Sequence, residues 1–142
     1  MSFDEVASIA YRKANEVFAD TIVPDLRDGD YVWVHDYHLM LLPCLLRQRA
    51  KAAKLNIRLG WFLHTPFPDE DIFAILPCKT EILNGLLGAD VVGFQTDDAR
   101  RNFLRTCSRS KCVHSCHLCL TNRCSHIKQV ASYSQQDLDK RS

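Results

Sequence analysis

Residues of the kinds that bind sugars follow the ends of the first two β-strands that the sequence predicts. The segment His35–His38 (HDYH) follows the first strand, and the segment His64–Pro68 (HTPFP) follows the second. A carboxylate such as that of Asp36 accepts hydrogen bonds from two hydroxyl groups, and an imidazole donates or accepts one. A tyrosine ring such as that of Tyr37 covers the apolar face of a sugar. These segments therefore predict a site for a polyhydroxylated ligand.

Each of these residues also has a purely structural interpretation. Asp36 could cap the helix that starts near Leu39, which is a common role for aspartate at a strand–helix junction. His35 and His38 could be structural histidines, and His64 could hydrogen-bond the backbone of its loop. Two histidines three residues apart could also bind a metal, but no third ligand follows at helical spacing. The residue types alone leave these alternatives open.

The elements that carry these residues alternate between helix and strand. Apolar periodicity and turn residues predict helices over 2–26, 39–54, 69–76, 79–87 and 97–107, and strands over 31–35, 56–63 and 90–94. Such alternation predicts an α/β fold, a Rossmann-like half-domain with a parallel sheet covered on both faces. Ligands of such sheets bind outside the carboxyl ends of the strands, where HDYH and HTPFP are expected to lie.

The first helix carries apolar residues at helical spacing, which predicts one buried face. The residues of this expected face are Phe3, Val6, Ala10, Ala14, Val17, Phe18 and Ile22.

Composition excludes several classes of protein. The chain has 142 residues, of which 46% are hydrophobic and 25% charged, as in an ordinary globular protein. Its formal net charge of +1 favours no nucleic-acid partner. No apolar run approaches the roughly 18 residues of a membrane span. The first residues, which include Asp4 and Glu5, do not resemble an export signal, so we expect a cytoplasmic protein.

A change in composition divides the chain into residues 1–109 and residues 110–142. Five of the seven cysteines lie between Cys107 and Cys124, and the second part has no apolar period. A zinc site is one interpretation, but only four residues separate Cys119 from Cys124, whereas zinc modules usually space their ligand pairs by about 12 residues or more. We expect no metal, and we expect this Cys/His-rich tail to be unstructured.

Three motifs of the first part resemble those of the trehalose-6-phosphate synthases. They are YVWVHDYHLMLLP over Tyr31–Pro43, LGWFLHTPFP over Leu59–Pro68 and ILNGLLGADVVGFQT over Ile82–Thr96. They occur in the order of the family, and the resemblance is expected to run from about Phe3 to Arg109.

The resemblance implies a retaining glycosyltransferase with two Rossmann-like domains and no metal cofactor. The family moves glucose from UDP-glucose to glucose-6-phosphate in trehalose biosynthesis. By position in the motifs, Asp36 and Tyr37 match residues that contact the acceptor sugar, and His64 matches the histidine at the donor glucose. Asp36 and His64 are therefore the candidate catalytic residues, and His35 and His38 have at most a supporting role.

The resemblance covers only part of an acceptor domain. The basic residues that neutralise the donor diphosphate lie in the family's other domain, so we expect this chain to be inactive alone. An alternative is a non-catalytic regulatory or interaction module that binds a full-length synthase subunit or another subunit of a synthase complex. A small zinc-binding regulator that uses the tail is a third hypothesis.

Overall fold

A computed structural model describes residues 3–110 and 129–132, with side chains over 5–110. The helices are α1 (Phe3–Ile22), α2 (Leu42–Ala52), α3 (Glu70–Ala74), α4 (Lys79–Leu86) and α5 (Asp97–Arg109), and short 3₁₀ turns cover Val23–Asp25 and Tyr37–Leu39. The strands are β1 (Tyr31–His35), β2 (Arg58–Leu63), β3 (Val91–Phe94) and β4 (Gln129–Ser132). Each predicted element is present, and most bounds agree within three residues.

The four strands form one parallel sheet in the order β1-β2-β3-β4. His35 at the end of β1 pairs with Phe62, and Phe94 at the end of β3 pairs with Leu63. This register brings the carboxyl ends of β1, β2 and β3 to one edge of the sheet. The predicted parallel α/β fold is confirmed.

The prediction that both faces of the sheet are covered is wrong for the described residues. The buried face carries Val34, Leu59, Trp61, Leu63, Val92 and Phe94. On the other face Tyr31 is 55% exposed and Trp33 is 41% exposed. The strand order gives the physical reason. Crossover connections between parallel strands are right-handed, so strands added in one direction place all their connecting helices on one face.

The predicted buried face of α1 is wrong except at Ile22, which is partly buried against the core. Val6, Val17 and Phe18 are each about half exposed, whereas Asn15 and Ala19 are fully buried. The helix packs against α2 and against the turn that follows β1, which accepts hydrogen bonds from the side chains of Tyr11 and Asn15. Apolar periodicity alone could not show which face is buried, because polar side chains of α1 contact backbone groups of the turn through hydrogen bonds.

The tail differs from its prediction at four residues. Gln129–Ser132 forms β4 and pairs with β3 over Val91–Phe94. The physical reason is the free edge of β3, whose backbone N–H and C=O groups accept a further strand. The cysteines at 112, 116, 119 and 124, and with them the zinc hypothesis, lie outside the described residues.

Two glycines, Gly85 in α4 and Gly88 just after its end, approach the start of α2. A Cβ atom at Gly85 would meet the carbonyl oxygen of Met40 and lie 2.7 Å from the Cα of Leu41. A Cβ atom at Gly88 would lie 2.5 Å from the backbone nitrogen of Cys44. The two helices therefore touch through backbone atoms, which leaves no space for a side chain.

A polar cluster around Arg47 ties α2 to the amino ends of β2 and β3. The guanidinium donates to the carbonyl oxygen of Ile57 at 2.7 Å and to Asp90 Oδ2 at 2.6 Å. The same carboxylate oxygen accepts the backbone N–H of Leu59 at 2.8 Å. Lysine is a compact donor that does not reproduce the guanidinium fork.

We expect Arg47→Lys to lower the free energy of unfolding by about 1–2 kcal/mol, since one or two partly exposed hydrogen bonds are lost. Urea unfolding would measure the loss. Arg58→Lys, at an exposed position, serves as the control. Equal stability of the two variants would contradict a structural role for the fork.

The described helices include none that combines the length and apolarity of a membrane span. The cytoplasmic location stays a prediction.

Candidate functional site

The two polar segments lie side by side at the carboxyl edge of the sheet. The backbone N–H of Asp36 donates to the carbonyl oxygen of Phe62 at 2.8 Å, which continues the pairing of β1 with β2 by one residue. Residue His64 follows Phe62 by two positions and is exposed. The structure therefore brings together the two segments in which the sequence predicted ligand-binding groups.

Asp36 has a backbone conformation that is almost restricted to glycine. Its φ is 68° and its ψ is 172°. A non-glycine residue in this region stores about 1–3 kcal/mol of strain and is held there only by its surroundings. The indole N–H of the fully buried Trp61 donates to the carbonyl oxygen of Asp36 at 3.2 Å. Together with the bond to Phe62, this contact holds the strained peptide in place.

Within the part of the chain that the structure describes, the carboxylate of Asp36 makes one hydrogen bond to the backbone. Its Oδ1 accepts the backbone N–H of Tyr37 at 2.9 Å, so it caps the turn Tyr37–Leu39 rather than α2. Within residues 3–110, no hydrogen bond reaches the second oxygen of this partly buried carboxylate. A single cap contact to a backbone N–H does not require a strained backbone, and the strain therefore favours a ligand-binding role for Asp36.

The aromatic residues of HDYH lie next to one another on the surface. The rings of Tyr37 and His38 stack with centroids 4.1 Å apart, and the Tyr37 side chain is 48% exposed. The ring of His64 lies with its centroid 4.8 Å from that of Phe62. His35 Nδ1 lies 3.0 Å from His64 Nε2. The described residues contain no group of three or more metal-ligating side chains.

Two residues of α1 position this site, and sequence reasoning missed both. The hydroxyl of Tyr11 donates to the carbonyl oxygen of Tyr37 at 2.6 Å and accepts the N–H of Met40 at 3.0 Å. The amide of Asn15 donates to the carbonyl oxygen of His38 at 3.1 Å. The only signal in the sequence is a pair of hydrogen-bonding residues four apart on one helix face.

Burial raises the pKa of Tyr11 above its ordinary value, and the nearby Cys78 and Glu81 add to this rise. The folded state therefore holds the proton of Tyr11 more tightly than the unfolded chain does. This contribution to stability is present below about pH 10 and is lost as the pH rises through the raised pKa.

We expect Tyr11→Phe to lower the free energy of unfolding by about 1–2 kcal/mol at pH 8, because two hydrogen bonds to the 37–40 turn are lost. The difference between the variant and the unmodified chain should shrink above about pH 10. Urea unfolding at several pH values would measure both effects. A difference that stays constant up to pH 11 would contradict the assigned role of the Tyr11 proton.

The end of the third strand has a structural role. Thr96 Oγ1 caps α5 by accepting the N–H of Ala99 at 3.2 Å. Asp97 and Asp98 form ion pairs with Arg100 and Arg101 one turn later. We therefore assign no ligand contact to Gln95–Asp97.

A cleft of about 1080 Å³ lies elsewhere, between α1, α2 and α4. An ion pair between Arg12 and Glu81 joins two of its walls, and Cys44 and Cys78 are among its lining residues. None of the lining residues belongs to HDYH or HTPFP. The cleft is therefore not part of the site at the strand ends.

Comparison with known proteins shows clear similarity. A sequence profile of Glycosyltransferase family 20 matches residues 1–133, past the expected end of the resemblance at Arg109. The 56 kDa subunit of the UDP-forming alpha,alpha-trehalose-phosphate synthase of Kluyveromyces lactis is 54% identical over 110 residues, which are 77% of this chain. The corresponding synthase of Emericella nidulans is 52% identical over 109 residues.

Solved structures share the fold. A trehalose-6-phosphate structure from E. coli with bound UDP-2-fluoro glucose is 40% identical, with a TM-score of 0.69 over 76% of this chain and 23% of that chain. The N-terminal domain of the Candida albicans trehalose-6-phosphate phosphatase is 39% identical, with a TM-score of 0.72 over 77% of this chain and 22% of that chain. The chain spans 22% of the length of each of the two curated relatives.

Proposed function

Because this chain belongs to glycosyltransferase family 20, the family of the trehalose-6-phosphate synthases, we propose that it forms the acceptor half of a site that transfers glucose from UDP-glucose to glucose-6-phosphate. Asp36 and Tyr37 bind the acceptor sugar, and His64 binds the donor glucose. The observation that carries the proposal is the strained Asp36, whose second carboxylate oxygen receives no hydrogen bond within residues 3–110.

The chemistry of retaining transfer fits these groups. The reaction requires an acceptor hydroxyl at a defined position and a stabilised departing diphosphate. The free oxygen of Asp36 can accept a hydroxyl of the acceptor, while the exposed ring of Tyr37 covers a sugar face. His64 can bond a donor hydroxyl. We assign no residue of 5–110 to the diphosphate, so we propose that the chain does not turn over substrate alone.

The names of the relatives support the substrates. The curated relatives are named as UDP-forming synthases, and one Burkholderia xenovorans synthase, 36% identical, has been solved in complex with glucose-6-phosphate. These statements describe those proteins, and they extend to this chain as part of the proposal.

Calorimetric titration of the full 142-residue chain with glucose-6-phosphate tests the proposal. We expect saturable binding that Asp36→Asn weakens and that inorganic phosphate does not reproduce. Binding that Asp36→Asn leaves unchanged would contradict the acceptor role. A UDP-release assay with both substrates tests the second part, and sustained turnover by the chain alone would contradict it.

The open sheet face favours a second candidate function, a non-catalytic module that binds a synthase subunit. Tyr31 and Trp33 stack with centroids 5.7 Å apart on this face, and exposed aromatic patches mark interaction surfaces. The same fold also occurs in a domain named for a phosphatase. Co-purification with a full-length synthase subunit tests this function. Loss of binding in Trp33→Ser, but not in the exposed control Ile72→Ser, would support it.

A further inference from the structure

The strongest unassigned feature of the site is the contact between His35 and His64. The Nδ1 atom of His35 lies 3.0 Å from the Nε2 atom of His64, and the ring centroids are 5.2 Å apart at an interplanar angle of 30°. The sheet register produces the contact. His35 pairs with Phe62, and His64 follows on the same face two residues later. The two rings therefore meet at the carboxyl edge because β1 and β2 are parallel neighbours.

Two imidazole nitrogens at this distance share one hydrogen. If Nδ1 of His35 donates, His64 holds its own proton on Nδ1; if Nε2 of His64 donates, Nδ1 of His64 is a free acceptor. In both cases Nε2 of His64 is engaged, so Nδ1 is the ring nitrogen left for a ligand. Nδ1 of His64 carries a proton when His35 donates the shared hydrogen, and it carries none when His64 donates it.

The contact also defines the orientation of the His64 ring. Packing of the ring against Phe62 at an interplanar angle of 63° is compatible with two orientations related by a half-turn about the Cβ–Cγ bond. Only one of these orientations places Nε2 against His35. A hydrogen bond to the second nitrogen of a functional histidine is a common means of selecting its tautomer and ring position.

We infer that His35 is a positioning residue, which holds His64 in one ring orientation and one tautomer so that Nδ1 faces the ligand. That a ligand binds at Nδ1 of His64 rests on the proposed function, whereas the hydrogen bond between the two rings does not. His35 is exposed, so its replacement removes no part of the core.

Nitrogen-15 NMR of the histidine rings in the full chain, without ligand, tests the coupling directly. We expect a single tautomer for His64 and a scalar coupling between His35 Nδ1 and His64 Nε2 across the hydrogen bond. In His35→Phe the ring signals of His64 should change to an average of both tautomers. His35→Asn should restore the single tautomer, since the asparagine amide nitrogen lies at the same distance along the side chain as Nδ1 of histidine.

Identical His64 ring signals in His35→Phe and in the unmodified chain would overturn the inference. If His35→Phe does not fold, the coupling in the unmodified chain decides the question by its presence or absence. Addition of UDP-glucose to the unmodified chain then tests the ligand separately. A ligand that leaves the His64 signals unshifted would contradict the proposed donor role of His64 and leave the coupling of the rings established.

Discussion

Replacement of Asp36 by glycine is expected to abolish most glucose-6-phosphate binding without loss of stability. One carboxylate oxygen, which accepts no hydrogen bond within residues 3–110, is available for a sugar hydroxyl, and loss of a charged hydrogen bond of about 2 kcal/mol weakens binding about 30-fold. Glycine adopts the observed φ of 68° and ψ of 172° without strain. The relief of about 1–3 kcal/mol of backbone strain offsets the loss of the cap and the added flexibility of the unfolded chain.

Asp36→Ala is the matched control, because it removes the same carboxylate and keeps the strain. We expect it to lose binding equally and to be about 1–2 kcal/mol less stable than Asp36→Gly, since the strain relieved by glycine exceeds the cost of a more flexible unfolded chain. Calorimetry measures the affinity for glucose-6-phosphate, and urea unfolding measures the stability, of the unmodified chain and the two variants. Equal stability of the glycine and alanine variants would show that the backbone strain at residue 36 is no larger than the entropic cost of glycine, about 1 kcal/mol, and full binding by the glycine variant would remove Asp36 from the site.

Gly85→Ala is expected to have the largest effect on stability of the changes considered. In most helices this change stabilises by about 1 kcal/mol. Here the new Cβ would meet the carbonyl oxygen of Met40 and lie 2.7 Å from the Cα of Leu41, and backbone atoms cannot rotate away. Overpacking of this kind costs about 1–3 kcal/mol and sometimes more. We expect a net loss of about 2 kcal/mol, seen as a fall in Tm of about 5 °C.

The neighbouring substitution Asn84→Ala controls for helix propensity, since it lies in the same turn of α4 and is only partly buried. It should leave stability unchanged or raise it slightly. Because Met40 directly follows the turn that Tyr11 holds, Gly85→Ala should also weaken glucose-6-phosphate binding. A Gly85→Ala variant more stable than the unmodified chain would show that α4 moves away from α2 without cost.

The strands and their polar ends could be predicted because their signals are local. Apolar residues over Tyr31–His35 and Arg58–Leu63, followed by polar groups, are visible in any short stretch of sequence. Pro43 in the first turn of α2 and Gly88 just after α4 indicate helix bounds in the same way. Because the strands of such a fold are parallel, HDYH and HTPFP are expected at one edge of the sheet before any contact is known.

The α1 face was wrongly predicted because its partner is distant in sequence. Val17 and Phe18 satisfy the helical period, yet Asn15 is the residue that packs inward, since it meets the backbone at His38. Hydrogen-bonding partners 23 residues apart leave no periodic signal. Among the described residues the sheet is covered on one face for a similar reason, because coverage depends on the direction in which successive strands are added.

The amino-acid sequence by itself determined the element order, the α/β class and the residue types available for chemistry, because short-range periodicity and turn propensity encode them. Tertiary structure decided how those residues act. The strain at Asp36, its support by Trp61 and the contact of His35 with His64 all depend on the register between β1 and β2. Register and side-chain packing are properties of pairs of segments, so one stretch of sequence does not show which segment it pairs with.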